Sequence, residues 1–157
     1  MDELKVTREN ALAAHAEANQ KGKALLENLF GKKVFQREVT ERIKTFDDVL
    51  DELGISAVEF AAATKGLSHD EIAYRQIKLI VQALNEGWQP DWTDSDRYKY
   101  YPWFDLSSGR GLSYNACAYG YARSGVGSRL CFKSRELAEY AGTQFKDLYE
   151  DYFLIRP

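Results

Sequence analysis

The spacing of apolar residues changes character near residue 88: helical before it, strand-like for some forty residues after it, then helical again. From Thr7 to Phe30 an Ala-rich run predicts helix, with Thr7 as N-cap and Val6 placed to staple onto Ala11. Gly22 weakens its middle, so one kinked helix and two short ones both fit. Leu25, Leu26, Leu29 and Phe30 give this segment an apolar end that has to dock on the fold or on another chain. The following KKVFQREVTERIK fits neither period, and a short extended piece over 34–36 is expected there. Three capping-box spacings come next: Thr45 with Asp48, Ser56 with Glu59, and Ser68 with Glu71. They predict helices over 46–53, 57–64 and 69–86, stopped by Gly54, Gly66 and Gly87. In the last of them Ala73, Ile77, Ile80, Val81 and Leu84 form a core-facing stripe, while Arg75, Lys78 and Gln82 face away.

The connector GWQPDWTDSD, with Pro90 and its turn formers, marks the passage to strands. YKYYPWFDL, GLSYNACAYGYAR and VGSRLCFKS then predict three strands of an antiparallel meander, joined by SSGRG and SGVG turns. Pro102 cannot donate to a ladder, so the first strand is expected at an edge or broken there. Alternation puts Leu112, Tyr114, Ala116 and Ala118 on one side of the second strand and Cys117, Tyr119, Tyr121 and Arg123 on the other. In the third strand Leu130 and Phe132 oppose Arg129, Cys131 and Lys133. The sheet is thereby expected to have an apolar face and a tyrosine-rich, basic one. Ser134 caps a final helix whose Leu137, Ala141, Phe145, Leu148 and Tyr152 would cover the apolar face. These elements predict a single α+β domain over 1–157: a helical part over 1–88, then the three-stranded meander plus one C-terminal helix over 97–155.

Charge sharpens that picture. Residues 97–135 hold seven Lys/Arg against the single acid Asp105, a net of +6 in a chain of net −3, which leaves −9 for the remainder. Nine of the 21 aromatic residues fall in the same stretch. Interleaved rings and cations serve either to stack bases and neutralise phosphates or to anchor a protein partner. The candidate binding residues are Tyr119, Tyr121, Arg123, Arg129 and Lys133. Hydrophobic content of 45% with 29% charged residues is globular, no apolar run approaches the roughly 18 residues of a membrane span, and MDELKVTREN lacks the order of a signal peptide. A cytoplasmic location and no membrane partner are the expectation. Cys117 and Cys131 are too few for a disulfide framework, have no spaced zinc partners, and read as buried or half-buried thiols.

The chain offers little to chemistry. Asp91, Asp94 and Asp96 lack the glycine and glutamate of a calcium loop and read as turn formers; Asp47, Asp48, Asp51 and Glu52 read as a solvated helix face. His15 and His69 have no nucleophile at motif spacing, and SSGRG and SGVGS lie between strands, unlike a phosphate-binding loop. No enzyme activity, metal or cofactor is therefore expected.

With KALLENLFGK, RIKTFDDVLDELGI, ALNEGWQPDW, YKYYPWFDLSSG and VGSRLCFKSRELAEYAGTQFKDLY in place, the chain resembles, end to end, a family of uncharacterised small proteins encoded by bacteriophages and by bacterial genomes carrying mobile elements. The resemblance implies a phage or mobile-element accessory protein and transfers no site. The expectation is a non-enzymatic protein-interaction module acting through the Tyr/Arg-rich sheet face, with nucleic-acid binding by that face as the alternative.

Overall fold

The computed structural model describes residues 6–35, 38–106, 113–120 and 127–155. The chain divides into two compact units, Met1–Glu38 and Val39–Pro157.

In the first unit the expected N-terminal helix is two, α1 (Arg8–Glu17) and α2 (Gln20–Phe30). Thr7 caps α1 by accepting from the Asn10 N–H, and extended backbone at Ala18 and Asn19 separates the helices. The Asn19 side chain starts α2 by accepting from the Gly22 N–H at 3.0 Å, so Gly22 marks a new first turn and not a kink. The piece expected to be extended is instead a helical turn, α3 (Lys32–Phe35); Gln36 lies outside the described residues. Tertiary contact decides it: the Phe35 ring stacks on His15 at 4.3 Å and meets Phe30 edge-on. His15 Nε2 also lies 3.0 Å from Glu27 Oε1, tying α1 to α2. Leu25 and Leu29 of α2 stay exposed.

The second unit opens with α4 (Val39–Arg42), a helical turn not expected from the sequence, followed by α5 (Phe46–Leu53), α6 (Ala57–Thr64) and α7 (His69–Asn85), these three at or within one residue of the limits set by the caps. The Thr45–Asp48 and Ser56–Glu59 boxes close reciprocally, and the Glu71 carboxylate accepts from the Ser68 N–H. These bonds hold the Asp48, Glu59 and Glu71 carboxyls below their ordinary pKa, for Asp48 chiefly through the Lys44 N–H. The α7 stripe Ala73, Ile77, Ile80, Val81 and Leu84 is buried as expected.

The sheet departs from the expected meander. Among the described residues it has two strands, β1 (Lys99–Asp105) and β2 (Ser113–Gly120), paired antiparallel. The segment expected as a third strand contributes one bridge, in which Tyr100 and Phe132 exchange both backbone hydrogen bonds at 3.1 and 2.7 Å. It lies against β1 and not against β2. Both of its possible extensions are blocked. Continuing the ladder one way would need a donor at Pro102, and continuing it the other way would need the backbone of Ser134, whose carbonyl already accepts the Ala138 N–H at 3.3 Å in the first turn of the next helix. Pro102 thus leaves β1 paired with β2 and ends the ladder on the opposite edge. The SSGRG turn and residues 124–126 of the SGVG turn lie outside the described residues.

The face assignment also changes. Trp103 pairs with Ala116 but Phe104 pairs with Tyr114, so Asn115 is a bulge and Tyr114 turns to the side of Cys117 and Tyr119, away from Ala116 and Ala118. The covered face therefore carries Tyr100, Pro102 and Phe104 on β1, Tyr114, Cys117 and Tyr119 on β2, and Phe132 on the bridge.

That face is covered by two helices where one was expected: α8 (Arg135–Gln144) and α9 (Lys146–Phe153). The chain bends at Phe145 (φ −112°, ψ 27°), whose ring is buried. No Pro or Gly marks the bend; it lets α8 lie along the sheet while α9 packs on α7. Gly142 brings α8 close, since a Cβ there would stand 2.7 Å from the Pro102 Cβ and 2.8 Å from the Tyr114 ring. Two polar ties close the unit. Asn85 at the end of α7 donates from Nδ2 to the Cys131 carbonyl at 2.9 Å and accepts the Lys133 N–H at 3.0 Å. On α8, Tyr140 donates its hydroxyl to the Ile43 carbonyl at 2.6 Å, and Gln144 donates to the Lys44 carbonyl at 2.8 Å.

Candidate functional site

Alternation along β1 sends Lys99, Tyr101, Trp103 and Asp105 to the side away from α8. Directly across, β2 presents Gly120, Ala118, Ala116 and Ser113. Small residues therefore face the two rings. Trp103 is 54% exposed, and Leu106 just past the strand is 54% exposed. One end of this face is closed by the 91–96 loop, where turn chemistry holds the aspartates: Asp91 accepts from the Thr93 N–H and hydroxyl, and Asp94 accepts from the Asp96 N–H. The Thr93 bonds keep the Asp91 carboxyl below its ordinary pKa. Beneath the loop Lys99 is 1% exposed, its Nζ donating to the Asp94 carbonyl at 2.7 Å and lying 5.5 Å from the centre of the Trp92 ring. Trp92 is fixed in turn by its Nε1–H, which donates to Ser128 Oγ at 2.6 Å.

Of the five residues expected to form a basic, tyrosine-lined face, the three described ones, Tyr119, Arg129 and Lys133, have different surroundings. Tyr119 is on the helix-covered side, at its margin, 49% exposed and edge-on to Tyr98 at 4.5 Å and to Tyr100 at 6.4 Å. Tyr121 and Arg123 lie outside the described residues. Lys133 Nζ pairs with Glu86 at 3.1 Å, and the same carboxylate holds Arg42, which also pairs with Glu52. Arg129 turns to a separate groove on α6 and α7. Arg135 pairs with Glu139 one turn along α8, and Lys99 is buried, so these four described cations of the stretch, Lys99, Arg129, Lys133 and Arg135, lie in different environments. Trp103, Tyr101 and Leu106 are the residues that the sequence reading passed over. Their signal was present: an odd-numbered aromatic pair facing a run of alanines across the sheet.

Burial suppresses reactivity elsewhere. Cys117 and Cys131 are free and buried; desolvation pushes the Cys131 thiol up to about 11 and raises that of Cys117. Tyr114 and Tyr149 flank Phe104, and their hydroxyls are buried without a hydrogen-bond partner among the described residues. Loss of water raises both phenols above their ordinary pKa, a cost to the fold of about 1–3 kcal/mol per orphaned group. Among the described residues no three His, Cys, Asp or Glu side chains gather as metal ligands, and no helix is long and apolar enough to cross a membrane. Comparison with known proteins returns no matching family model, no matching curated protein and no matching solved structure.

Proposed function

We propose that the protein is a non-enzymatic protein-interaction module, an accessory protein of the phage or mobile-element kind, which anchors its partner on the open sheet face. The observation that carries this reading is Trp103, half exposed on a rigid strand beside Tyr101, with only Ala116 and Ala118 opposite. Tryptophan and tyrosine are the residues that most often dominate interface energies, and flat small neighbours leave their rings available to a complementary pocket. Charge favours the same class of partner. A nucleic-acid face needs cations that converge, whereas the charged residues on this side of β1 are a buried Lys99 and Asp105.

The test is affinity capture from host and phage-infected lysates with wild type and Trp103→Ala, followed by titration of the purified partner. A discrete partner bound about thirtyfold or more weakly by Trp103→Ala is expected, the factor of a hot spot worth about 2 kcal/mol. The reading falls if capture is indifferent to Trp103. It also falls if the pure protein shifts single-stranded DNA or RNA at micromolar concentration with affinity dropping steeply in salt.

A further inference from the structure

The second unit also contains a groove of about 940 Å³ between α6 and α7. α6 supplies one wall with Phe60, Ala63 and Thr64, α7 supplies Arg75 and Lys78, and the chain after each sheet-flanking turn closes it with Trp88 and Arg129. Its charge runs against that of the molecule. Three cations and one carboxylate line it, in a chain of net −3. The carboxylate, Glu59, is occupied at the α6 cap, where it accepts from the Ser56 N–H and hydroxyl at 2.9 Å each.

The cations are placed without a contacting carboxylate, although Arg75 feels the Glu71 charge one turn back along α7. The Arg75 guanidinium is oriented by the Ala63 carbonyl at 3.1 Å, and the Lys78 ammonium lies 5.4 Å from the centre of the Tyr74 ring. Among the described residues none of the three, Arg129 included, has a carboxylate within ion-pair distance, whereas Arg42, Lys133 and Arg135 each do. Trp88 and Phe60 put aromatic surface between them. A volume near the upper end of the range for small-molecule sites, in an open groove, suits an extended segment better than an enclosed small ligand.

From this we infer that the groove is a second binding site, distinct from the open sheet face, and that its ligand is an acidic peptide segment of a partner protein. The segment seats an aromatic or aliphatic side chain against Trp88 and Phe60 and directs carboxylates to Arg75, Lys78 and Arg129. Arginine forks and carboxylates make the strongest such contacts, and complementary charge selects the partner.

The test is to pan a library of random 12-residue peptides against the full chain, then titrate one recovered peptide by fluorescence anisotropy at low and high salt. Recovered sequences are expected to be rich in Asp and Glu around an apolar residue. Binding should weaken as salt rises and fall at least about tenfold in the double variant Lys78→Glu, Arg129→Glu, while Trp103→Ala leaves it unchanged. Should charge reversal impair folding, judged by thermal melting, Lys78→Gln with Arg129→Gln replaces it with the same expected direction. The inference is overturned if the library yields no acidic sequences, if binding ignores the cation substitutions, or if it is lost in Trp103→Ala, which would place the peptide on the sheet face.

Discussion

Cys131 shows what a single buried group contributes at the residue scale. Its thiol is fully buried, and desolvation lifts its pKa from 9 to about 11, so the folded state holds the proton longer than the unfolded chain does. The stabilisation tied to that proton is whole below pH 9 and is lost as pH rises from 9 to 11, at about 1.4 kcal/mol per pH unit once the unfolded thiol has ionised. Urea unfolding of wild type and Cys131→Ala across pH 7–11 should show the difference between them shrinking over that window; a difference independent of pH would refute the assignment. The thiol was legible in the sequence as buried or half-buried from the lack of any disulfide or zinc partner, although alternation grouped it with Arg129 and Lys133. Its backbone role was not. The Cys131 carbonyl is bound by Asn85, 46 residues away, and no local pattern announces a partner at that distance.

At the scale of elements, what the sequence disclosed and what it hid divide by the range of the interaction. Caps are local, so Thr45, Ser56, Ser68 and Ser134 placed four helix starts correctly. The sheet was misread where its geometry depends on neighbours, since the extra residue at Asn115 reversed one face and the third strand shrank to one bridge, whereas Pro102 left its strand at an edge as expected. The bend at Phe145 was likewise set by the need to reach both sheet and α7. Gly142 was legible in principle, as a glycine within the apolar stripe of an otherwise good helix. Replacing it with alanine should destabilise the second unit by about 1–3 kcal/mol, although alanine is the better helix former, because the new methyl meets Pro102 and the Tyr114 ring. Chemical denaturation measures it. A stabilised Gly142→Ala would mean that α8 rides higher on the sheet than these contacts require.

At the scale of the whole molecule, the candidate binding surfaces sit on one interior. The open sheet face shares β1 with the face under α8, and the groove shares α7 with the core, so both are held by the cluster around Ile77, Ile80, Leu84 and Phe132. Sequence alone located the aromatic stretch but assigned its charge to one surface; in the fold Lys99 lies under the 91–96 loop, Arg129 lines the groove on α6 and α7, Lys133 meets Glu86 and Arg135 meets Glu139 on its own helix. The ties from Tyr140 to Ile43 and from Gln144 to Lys44 span 97 and 100 residues and carry a consequence for biosynthesis. Ile43 and Lys44 leave the ribosome long before their partners exist. At about 5–20 residues per second they wait on the order of 5–20 s for α8, with the apolar sides of α5 and α7 already made and uncovered. Nascent chains arrested at successive lengths should accordingly remain open to protease from residue 39 onward until α8 has emerged, then become resistant in one step; protection gained helix by helix would contradict this. The second unit thus keeps apolar surface uncovered through most of its own synthesis, until the segment that carries α8 has emerged.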